Sequence, residues 1–333
     1  MAVSVKDVAR AAGVSVGTVS NVLNRPEKVS PATVERVHAA IAELGFVRND
    51  AARQLRAGRS RTVGLVVLDS ANPFFAEVAR GAEERAAEHG VTVLLGSSGQ
   101  EAVRENAYLD LFREQRVNGV LLTPLALDEA RAETLETAGV PIVLVDAEAD
   151  GDLPSVAVDD VEGGYLAVEH LLQQGRRRIL FAGGPASVRQ VADRLDGARR
   201  ALAEVPDATL EVASTDELTV LAGRLVGEDL ARREAGERPD GVFCANDLLA
   251  VGVLQGAGIL GSLRVPEDLA LIGYDDIDFA QSTVVPLSSI RQPAREIGAA
   301  AVDALFALLE DPDDAPQRIR FRPELVVRAS TGG

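Results

Sequence analysis

A set of polar side chains follows short apolar segments along the chain, and it offers the most specific chemistry in the sequence. The set consists of carboxylates, amides and one or two arginines, in residues 69–75 and 184–194 and at Asp146, Asp159, Asn246, Asp247, Asp275 and Asp276. Phe74 and Phe75 stand among them. Each hydroxyl of a sugar donates and accepts hydrogen bonds, and the apolar face of a sugar packs on aromatic rings. This mixture therefore favours a polyhydroxylated ligand.

Motifs for catalysis or metal binding are weak. Gly183-Gly184-Pro185 lacks the spacing of a phosphate-binding loop, and neither a G-x-S-x-G sequence nor a histidine-rich motif occurs. The pairs Asp159–Asp160 and Asp275–Asp276 have the residue types of an acid and a base, but no nucleophile or metal ligand accompanies them. All three histidines fall near the ends of predicted helices, where a structural role is expected. They are His38, His89 and His170. We therefore expect no enzyme, no metal site and no cofactor.

The composition is that of a soluble globular protein. The chain has 333 residues, of which 47% are hydrophobic and 26% charged, a length that corresponds to two or three domains. No apolar run reaches the ~18 residues of a membrane span. The N-terminus carries Lys6, Asp7 and Arg10 where an export signal has an apolar core. We expect a cytoplasmic protein without a disulfide framework, since Cys244 is the single cysteine.

The charge is divided unevenly along the chain. Residues 1–60 hold nine Lys and Arg against five Asp and Glu, a net charge of +4, so the rest of the chain carries −21. A basic segment with its own fold can neutralise phosphates locally, because charges beyond about 8 Å are screened at cellular salt. Nucleic acid is therefore a candidate partner of the first segment alone.

This basic segment carries the signals of two short helices joined by a turn. Ser4 followed by Asp7 forms a capping box that starts a helix near Val5, and Gly13 ends it. Ser15 caps a second helix whose apolar face is formed by Val19, Val22 and Leu23, so that Thr18, Ser20 and Asn21 face outward. Two helices in this arrangement form a helix-turn-helix, which presents its second helix to the major groove of DNA.

A third helix completes the segment. It begins at Ser30 as N-cap with Pro31 in the first helical position, and it ends at Gly45. Its apolar stripe, Val34, Val37, Ile41 and Leu44, is expected to cover the other two helices.

The motifs of this segment resemble a known family. The stretch from Val5-Lys6-Asp7-Val8-Ala9 to Thr18-Val19-Ser20-Asn21-Val22-Leu23-Asn24 is similar to the head of the LacI/GalR family of bacterial repressors, and the similarity continues along essentially the whole chain. The resemblance implies a homodimer on palindromic double-stranded operator DNA. The expected DNA-binding residues are Ser4, Lys6, Val16, Gly17, Thr18, Ser20, Asn21, Asn24, Lys28, Asn49, Arg53 and Leu55.

Residues 49–60 resemble the hinge of that family, which is helical only on operator DNA. The part of this segment that is rich in Ala and Arg is about eight residues long and contains one large apolar residue, so it is too short for a stable helix in water. The resemblance assigns that residue, Leu55, as the wedge that enters the minor groove and kinks the operator. A lone surface leucine is the alternative.

From Thr62 onward, short apolar strands alternate with amphipathic helices, as in parallel sheets covered on both faces. The expected fold is a three-helix helix-turn-helix head (residues 1–48), a hinge helix (49–60) and an α/β body (61–330) of two doubly wound parallel-sheet lobes, periplasmic-binding-protein-like. We expect an N-lobe of about 61–157 and 288–316 and a C-lobe of about 158–287 and 317–330. Apolar positions of the N-lobe helices, including 74–88, are candidates for a dimer interface.

Two facing lobes place the carboxyl ends of both sets of strands around one cleft, where ligands of such sheets bind. The resemblance matches Asp146, Arg194, Asn246 and Asp275 to effector-contacting positions. We expect Asn72, Phe74, Phe75 and Gln190 beside them. Helix capping is the alternative for Asp69 and Asp247, and a solvated loop position for Asp159 and Asp276. Several carboxylates beside one clear cation favour a neutral sugar as effector.

The expected function is that of a sequence-specific transcriptional regulator, a repressor of carbohydrate-utilisation genes controlled by a small effector between the lobes. Two alternatives remain. One is a two-lobe sugar-binding protein without a regulatory role, which leaves the basic head and the hinge without a use. The other is an α/β enzyme, for which the sequence shows no catalytic constellation.

Overall fold

The computed structural model describes residues 3–46, 60–125, 137, 140–148, 153–261, 263–312 and 315–332. The chain divides into two compact units. Residues 1–60 comprise the head and the hinge segment, and residues 61–333 form the body. Asn49, Arg53 and Leu55 of the expected hinge lie outside the described residues. The alternation of strands and helices also predicts a helix over residues 128–138, and these residues, apart from Thr137, lie outside the described part of the chain.

The head contains the three predicted helices. They are α1 (Val5–Ala11), α2 (Val16–Asn24) and α3 (Pro31–Leu44), with a 3₁₀ turn at Pro26–Lys28. The Ser4 backbone N–H and hydroxyl donate to the Asp7 carboxylate at 3.0 and 2.6 Å, as the capping box predicts. The Ser15 hydroxyl oxygen accepts from the Thr18 backbone N–H at 3.0 Å, and Gly45 ends α3 at a φ of +61°.

The predicted apolar stripes of the helices face one common core, to which Leu23, Val34, Ile41 and Leu44 contribute partly buried side chains. The buried residues are Val8, Ala9, Ala12, Val19, Val22, Val37 and Ala40. Burying a valine side chain stabilises a fold by about 1.5–3 kcal/mol, so these small side chains suffice for a compact three-helix unit.

The body contains two six-stranded sheets. The strands are β1 (Thr62–Val67), β2 (Thr92–Ser97), β3 (Val120–Leu122), β4 (Ile142–Val145), β5 (Ser155–Val158), β6 (Arg178–Gly183), β7 (Thr209–Ser214), β8 (Gly241–Cys244), β9 (Ala270–Asp275), β10 (Ser288–Arg291), β11 (Arg318–Phe321) and β12 (Glu324–Val326). The first sheet has the order β11-β5-β4-β3-β1-β2 and the second β12-β10-β9-β8-β6-β7. All neighbours are parallel except β12, which pairs antiparallel with β10. The predicted two-lobe α/β architecture is confirmed.

Helices cover both sheets. They are α4 (Pro73–Glu88), α5 (Ala102–Glu114), α6 (Asp160–Gln173), α7 (Arg189–Ala203), α8 (Val220–Arg232), α9 (Asp247–Val253), α10 (Asp278–Ser282) and α11 (Ala294–Glu310), with a π-helical segment (Leu254–Leu260) after α9 and a 3₁₀ turn (Ala329–Thr331) near the end. Among the described helices, none is both long and apolar enough to span a membrane.

The lobes exchange chain at three places, but two of them differ from the expected boundaries. β10 pairs with β9 in the second sheet, although residues 288–316 were expected in the N-lobe. β11 pairs with β5 in the first sheet, although residues from 317 were expected in the C-lobe. The crossings therefore lie at residue 159, at 292–293 and at 322–323. Short edge strands such as β11 have half-exposed side chains, so their apolar pattern does not specify the sheet that they join.

The apolar face of helix α4, one of the candidates for the dimer interface, is buried within its own lobe. Phe74, Phe75 and Val78 are buried there, together with Ala79, Ala82 and Ala86. Helix α11 packs closely on α4, since a Cβ placed on Gly81 would lie 2.1 Å from the Arg295 carbonyl oxygen. Apolar side chains remain exposed on other elements. They are Leu94, Leu95, Val103 and Leu111 in the first lobe and Leu221, Leu225, Ile259, Leu260, Phe279 and Val284 in the second.

Candidate functional site

A cleft opens where the carboxyl ends of the parallel strands of both lobes meet, as the fold requires. Its volume is about 460 Å³, including the open mouth. The lining residues are Leu68, Asp69, Asn72, Phe74, Phe75, Gln100, Asp146, Val188, Gln190, Val191, Arg194, Leu218, Asn246 and Asp275. All eight residues that the sequence predicts as effector-binding are therefore brought together.

Asn72 connects the lobes across the cleft. It is the N-cap of α4, and its side-chain oxygen Oδ1 accepts from the Phe74 backbone N–H at 3.0 Å. Its amide nitrogen donates to Asp275 Oδ2 of the second lobe at 3.1 Å. The cap leaves the amide group only one orientation, because the oxygen and the nitrogen have different partners.

Asp275 is the last residue of β9 and has an unusual backbone conformation. Its φ is 104°, a region that side chains rarely adopt and that clusters at functional sites. Gln292, at the second crossing between the lobes, donates from Nε2 to Asp275 Oδ1 at 2.8 Å. Burial raises the pKa of the Asp275 carboxyl to about 6, although Arg194, Asn72 and Gln292 each favour its charged form.

Asp146 and Gln190 form a second contact between the lobes. Asp146 follows β4 with a φ of 54°, and Gln190 lies in the first turn of α7. Gln190 Nε2 donates to the Asp146 carbonyl oxygen and, at 3.2 Å, to Asp146 Oδ2. Asp146 Oδ1 and Gln190 Oε1 are buried acceptors without a partner in the structure. Burial, followed by the nearby Asp160 carboxylate, raises the pKa of Asp146 well above its ordinary value.

Arg194 is held at three points. Its Nε donates to Asp160 Oδ1 at 2.7 Å and its Nη1 to the Ala245 carbonyl oxygen at 2.7 Å, while Cζ lies 3.7 Å from the centroid of the Tyr274 ring. Nη1 also lies 4.0 Å from Asp275 Oδ1. Burial by itself would lower the pKa of Arg194, but the surrounding carboxylates, Asp160 foremost, raise it. The guanidinium is therefore a fixed cation at the floor of the cleft.

Phe74 and Phe75 supply the apolar part of the lining. Their rings meet edge to face with centroids 5.0 Å apart, and both side chains are largely buried. This is a rigid aromatic wall of the kind on which the apolar face of a sugar packs.

The remaining acidic and amide positions differ in part from the helix-capping alternatives. Asn246, not Asp247, caps α9, since its oxygen accepts from the Leu249 backbone N–H at 2.9 Å. Asp247 is fully buried and accepts from the Ile277 N–H and the Ser289 hydroxyl, so the alternative of helix capping does not apply to it. Likewise Asn72, not Asp69, caps α4.

The two expected loop acids are also paired. Asp159 caps α6 by accepting from the Glu162 N–H at 2.9 Å and forms an ion pair with Arg320. Asp276 is buried between Arg291 and Arg328, at 2.8 and 2.6 Å. Neither is a free solvated acid, because each carboxylate is paired with an arginine of another segment of the chain.

Sequence reasoning missed two residues of the site, Asp160 and Gln292. The apolar pattern predicts a helix from about residue 164, whereas α6 begins at Asp160. The earlier start places the Asp160 carboxylate against Arg194. The signal was the adjacent carboxylate pair. Gln292 follows β10, a strand that the apolar pattern did not predict because Ser288 and Ser289 occupy it.

The candidate DNA-binding residues of the head lie mainly on α1 and α2. Lys6, Gly17, Asn21 and Lys28 are exposed, and Val16 is 42% exposed. Three other candidates, Thr18, Ser20 and Asn24, also form hydrogen bonds at or within α2. The Thr18 hydroxyl bonds the Ser15 hydroxyl at 2.9 Å, and the Asn24 amide donates to the Ser20 carbonyl oxygen at 2.8 Å. Ser4 forms the capping box described above.

Groups suited to metal ligation do not come together in the part of the chain that the structure describes, where no cluster of three His, Cys, Asp or Glu side chains is arranged to hold an ion. His170 is buried and bonds the Thr331 hydroxyl at 2.8 Å, and His89 stacks on Phe306 with centroids 3.9 Å apart. The thiol of Cys244 is buried, which raises its pKa. These groups support packing.

Comparison with known proteins decides the family. Residues 4–49 match the family described as bacterial regulatory proteins, lacI family, and residues 168–331 match a periplasmic binding protein-like domain. The ribose operon repressor of Escherichia coli (strain K12) is 36% identical over 331 residues, covering 98% of this chain and 99% of that protein. The chain belongs to the LacI family of bacterial regulatory proteins.

Other members of the LacI family are also similar to this chain over nearly its full length. The HTH-type transcriptional repressor PurR of Vibrio atlanticus (strain LGP32) is 33% identical, with 98% of both chains covered. The lac repressor dimer bound to operator and the anti-inducer ONPF is 29% identical, with a TM-score of 0.81 over 99% of both chains. This LacI-family chain is thus a DNA-binding transcriptional regulator with an effector-binding body.

Proposed function

We propose that this LacI-family regulator is a cytoplasmic repressor of carbohydrate-utilisation genes whose operator affinity is controlled by a neutral sugar bound in the cleft. The observation that carries the proposal is the pair of contacts between the lobes, Asn72 to Asp275 and Gln190 to Asp146. A polyhydroxylated ligand can take over both contacts, because its hydroxyls donate to the carboxylates and accept from the amides. The proposed role includes no catalysis and no cofactor.

The charge balance of the cleft supports a neutral ligand. Among the described residues, Arg194 is the one arginine that lines the cleft, and that cation already faces Asp160 at 2.7 Å and Asp275 at 4.0 Å. A phosphorylated sugar would bring a further anion beside these carboxylates. Burying a charge without a free partner costs far more free energy than burying a hydroxyl that is hydrogen-bonded.

Ribose is the first probe to use. The ribose operon repressor is a relative over the full length of the chain, and its name indicates a monosaccharide-responsive system. A cleft of about 460 Å³, including the mouth, lies in the usual range of ligand pockets. A monosaccharide that reaches Asn72 and Gln190 together contacts both lobes at once.

The proposed division of labour follows the expected domains. The head (residues 1–48) reads the operator, the hinge (49–60) inserts Leu55 into the minor groove, and the body (61–330) binds the effector and dimerises. The effector acts by changing how the lobes are arranged and hence the separation at which two hinges leave their bodies near Arg61. It shifts operator affinity only by its differential affinity for the two arrangements, with a typical coupling of ~1–3 kcal/mol.

Exposed apolar side chains support the proposed homodimer. Leu221 and Leu225 are 65% and 61% exposed and lie on one face of α8, four residues apart. The adjoining π-helical segment exposes Ile259 and Leu260. Clusters of this kind are typical of interaction surfaces. A single head with few phosphate contacts binds DNA weakly. In a dimer on a palindromic operator, the binding of one head raises the effective concentration of the second head at its half-site, which increases the overall affinity.

A thermal-shift screen followed by operator titration tests the proposal. We expect ribose or a related neutral monosaccharide to raise the melting temperature, and ribose 5-phosphate and hypoxanthine to leave it unchanged. The active sugar should then change the affinity for a palindromic operator fragment. Stabilisation by a purine alone, or sugar binding that persists unchanged in both Asp275→Ala and Arg194→Ala variants, contradicts the assigned chemistry.

A further inference from the structure

Three buried carboxyl groups lie at or beneath the floor of the cleft, around the Arg194 guanidinium. Asp146 follows β4, Asp160 opens α6, Asp275 ends β9 and Arg194 lies on α7, and each is less than a tenth exposed. Arg194 Nε bonds Asp160 Oδ1 at 2.7 Å, whereas Asp275 Oδ1 lies 4.0 Å from Arg194 Nη1. One buried cation therefore faces three buried acids.

This imbalance is resolved by protonation. Like charges in a region of low dielectric disfavour joint ionisation, and a group without a partner takes up a proton in preference to remaining charged. Burial raises the pKa of all three carboxyl groups, that of Asp275 to about 6. After burial, the charge of Asp160 is the largest cause of the raised pKa of Asp146. The empty cleft thus holds a proton to a higher pH than exposed carboxyl groups would.

Other titratable and charged groups surround Asp146. Tyr274 lies against Arg194, and Asp247 is buried beside Asp275. A second cavity on the far side of the Asp146–Gln190 contact is lined by charged groups from both lobes, namely Glu148, Asp159, Asp160, Asp193, Arg189 and Arg320. Within it Arg320 pairs with Glu148 and Asp159, and Arg189 with Asp193. No histidine lines either cavity as described, so the proton resides on a carboxyl group.

Asp160 differs from the other two acids in its position. It lines the second cavity and not the effector cleft, while Asp146 lines both. Asp160 contacts Arg194 Nε, whereas Arg194 Nη1 is the atom near Asp275, which lines the cleft. Asp160 therefore acts on a ligand through Arg194 and Asp146, which makes it a positioning residue.

We propose that Asp160 makes effector binding proton-linked: its charge keeps a proton on the Asp146 carboxyl group of the empty cleft, and a ligand hydroxyl that donates to Asp146 Oδ1 drives this proton into solvent. The buried Oδ1 has no partner in the structure, so it is the acceptor that a hydroxyl would fill. The inference rests on the proposed sugar-binding function. Because linkage is reciprocal, the affinity for the sugar increases with pH.

Calorimetry on the full-length protein tests the proposal with ribose as the probe. Titrations near neutral pH in two buffers of different ionisation enthalpy give the number of protons released per site. We expect release of part of one proton by the natural protein and an affinity that rises with pH above the ordinary titration range of a carboxyl group, because burial raises the pKa of Asp146. Asp160→Asn retains an oxygen acceptor for Arg194 Nε, and we expect it to abolish most of the proton release and the pH dependence.

Asp159→Asn is the matched control, since it removes one charge at the adjacent position and asparagine still caps α6. We expect it to release protons as the natural protein does. Ribose binding without proton release, or release that is unchanged in Asp160→Asn, overturns the proposal and leaves the sugar-binding function intact. Failure of every neutral sugar to bind overturns the proposed function and this proposal with it.

Discussion

Asn72 and Asp275 belong to different lobes, and the Asn72 amide donates to the Asp275 carboxylate at 3.1 Å across the cleft. Gln190 and Asp146 repeat this relationship with the roles of the lobes exchanged, since the amide lies on the second lobe and the carboxylate on the first. Both contacts are made by side chains that line the cleft. The arrangement of the lobes is therefore sensitive to anything that replaces these hydrogen bonds.

Replacing Arg194 is expected to abolish sugar binding and to destabilise the body. Arg194→Met removes the partner of the buried Asp160 carboxyl group. Removing one member of a buried ion pair costs about 3–5 kcal/mol, because the other charge stays uncompensated. Urea denaturation measures this loss in the free energy of unfolding, and calorimetry measures binding. Arg199→Met, an exposed position on the same helix, should change stability by no more than about 0.5 kcal/mol; an Arg194 variant that matches it contradicts the pairing.

The pH dependence of stability should depend on Asp275. Its pKa rises from 3.8 to about 6 on folding, so its contribution to stability is fully present below 3.8 and is lost as the pH rises through about 6. At about 1.4 kcal/mol per pKa unit, the loss is at most on the order of 3 kcal/mol. Denaturant unfolding of Asp275→Asn should therefore show a flatter decline of the free energy of unfolding across this range. Asp278→Asn changes an exposed neighbour and is the control, so its free energy of unfolding should decline with pH as that of the natural protein does. An unchanged decline in Asp275→Asn would show that the Asp275 carboxyl group is not buried in solution.

The contact between α4 and α11 should not tolerate a methyl group. A Cβ on Gly81 would lie 2.1 Å from the Arg295 carbonyl oxygen, so the two helices would have to separate. Gly81→Ala is expected to destabilise the protein by about 1–3 kcal/mol or more, as overpacking does. Gly236→Ala, at a loop position with no heavy atom within 4 Å of the added Cβ, is the control and should be nearly neutral. Equal melting temperatures for the two variants would show that the helices are farther apart.

Operator reading should depend on Asn21, which is exposed on α2. The family often has a long arginine side chain at this position, which reaches guanine, whereas the geometry of asparagine favours adenine N6 and N7 by ~1–3 kcal/mol in a bidentate contact. We expect Asn21→Arg to change the preferred operator base, as measured by selection from a randomised site. An unchanged selection profile would indicate that Asn21 contacts only phosphate.

Dimerisation should depend on the exposed apolar face of α8. Leu225→Glu places a charge at a side chain that is 61% exposed in the single chain, and we expect sedimentation to show a monomer with weakened operator binding. Val212→Glu on the edge strand β7, which is 41% exposed, introduces the same charge away from this face and should leave the dimer intact. A dimeric Leu225→Glu protein would place the interface elsewhere.

The sequence alone determined the head and the order of the body elements. Ser4 with Asp7, Ser15, and Pro31 with Gly45 are signals that act within a few residues, because a cap needs only the backbone of its own helix. The alternation of apolar strands and helices likewise determined two parallel-sheet lobes. Since ligand sites of this architecture lie at the strand ends, the residues around the cleft followed from the same pattern.

Only the tertiary structure decided which side chains pair with one another. β10 and β11 joined the sheets opposite to those expected. β11 is a half-exposed edge strand, and the buried β10 carries Ser288 and Ser289 in place of an apolar pattern. The partners Asp160 and Arg194 are separated by 34 positions in sequence, and Asn72 and Asp275 by 203. Buried polar groups must be satisfied by whatever the fold brings near them. Local sequence therefore supplied the chemical groups of the cleft, and long-range packing set their charge balance.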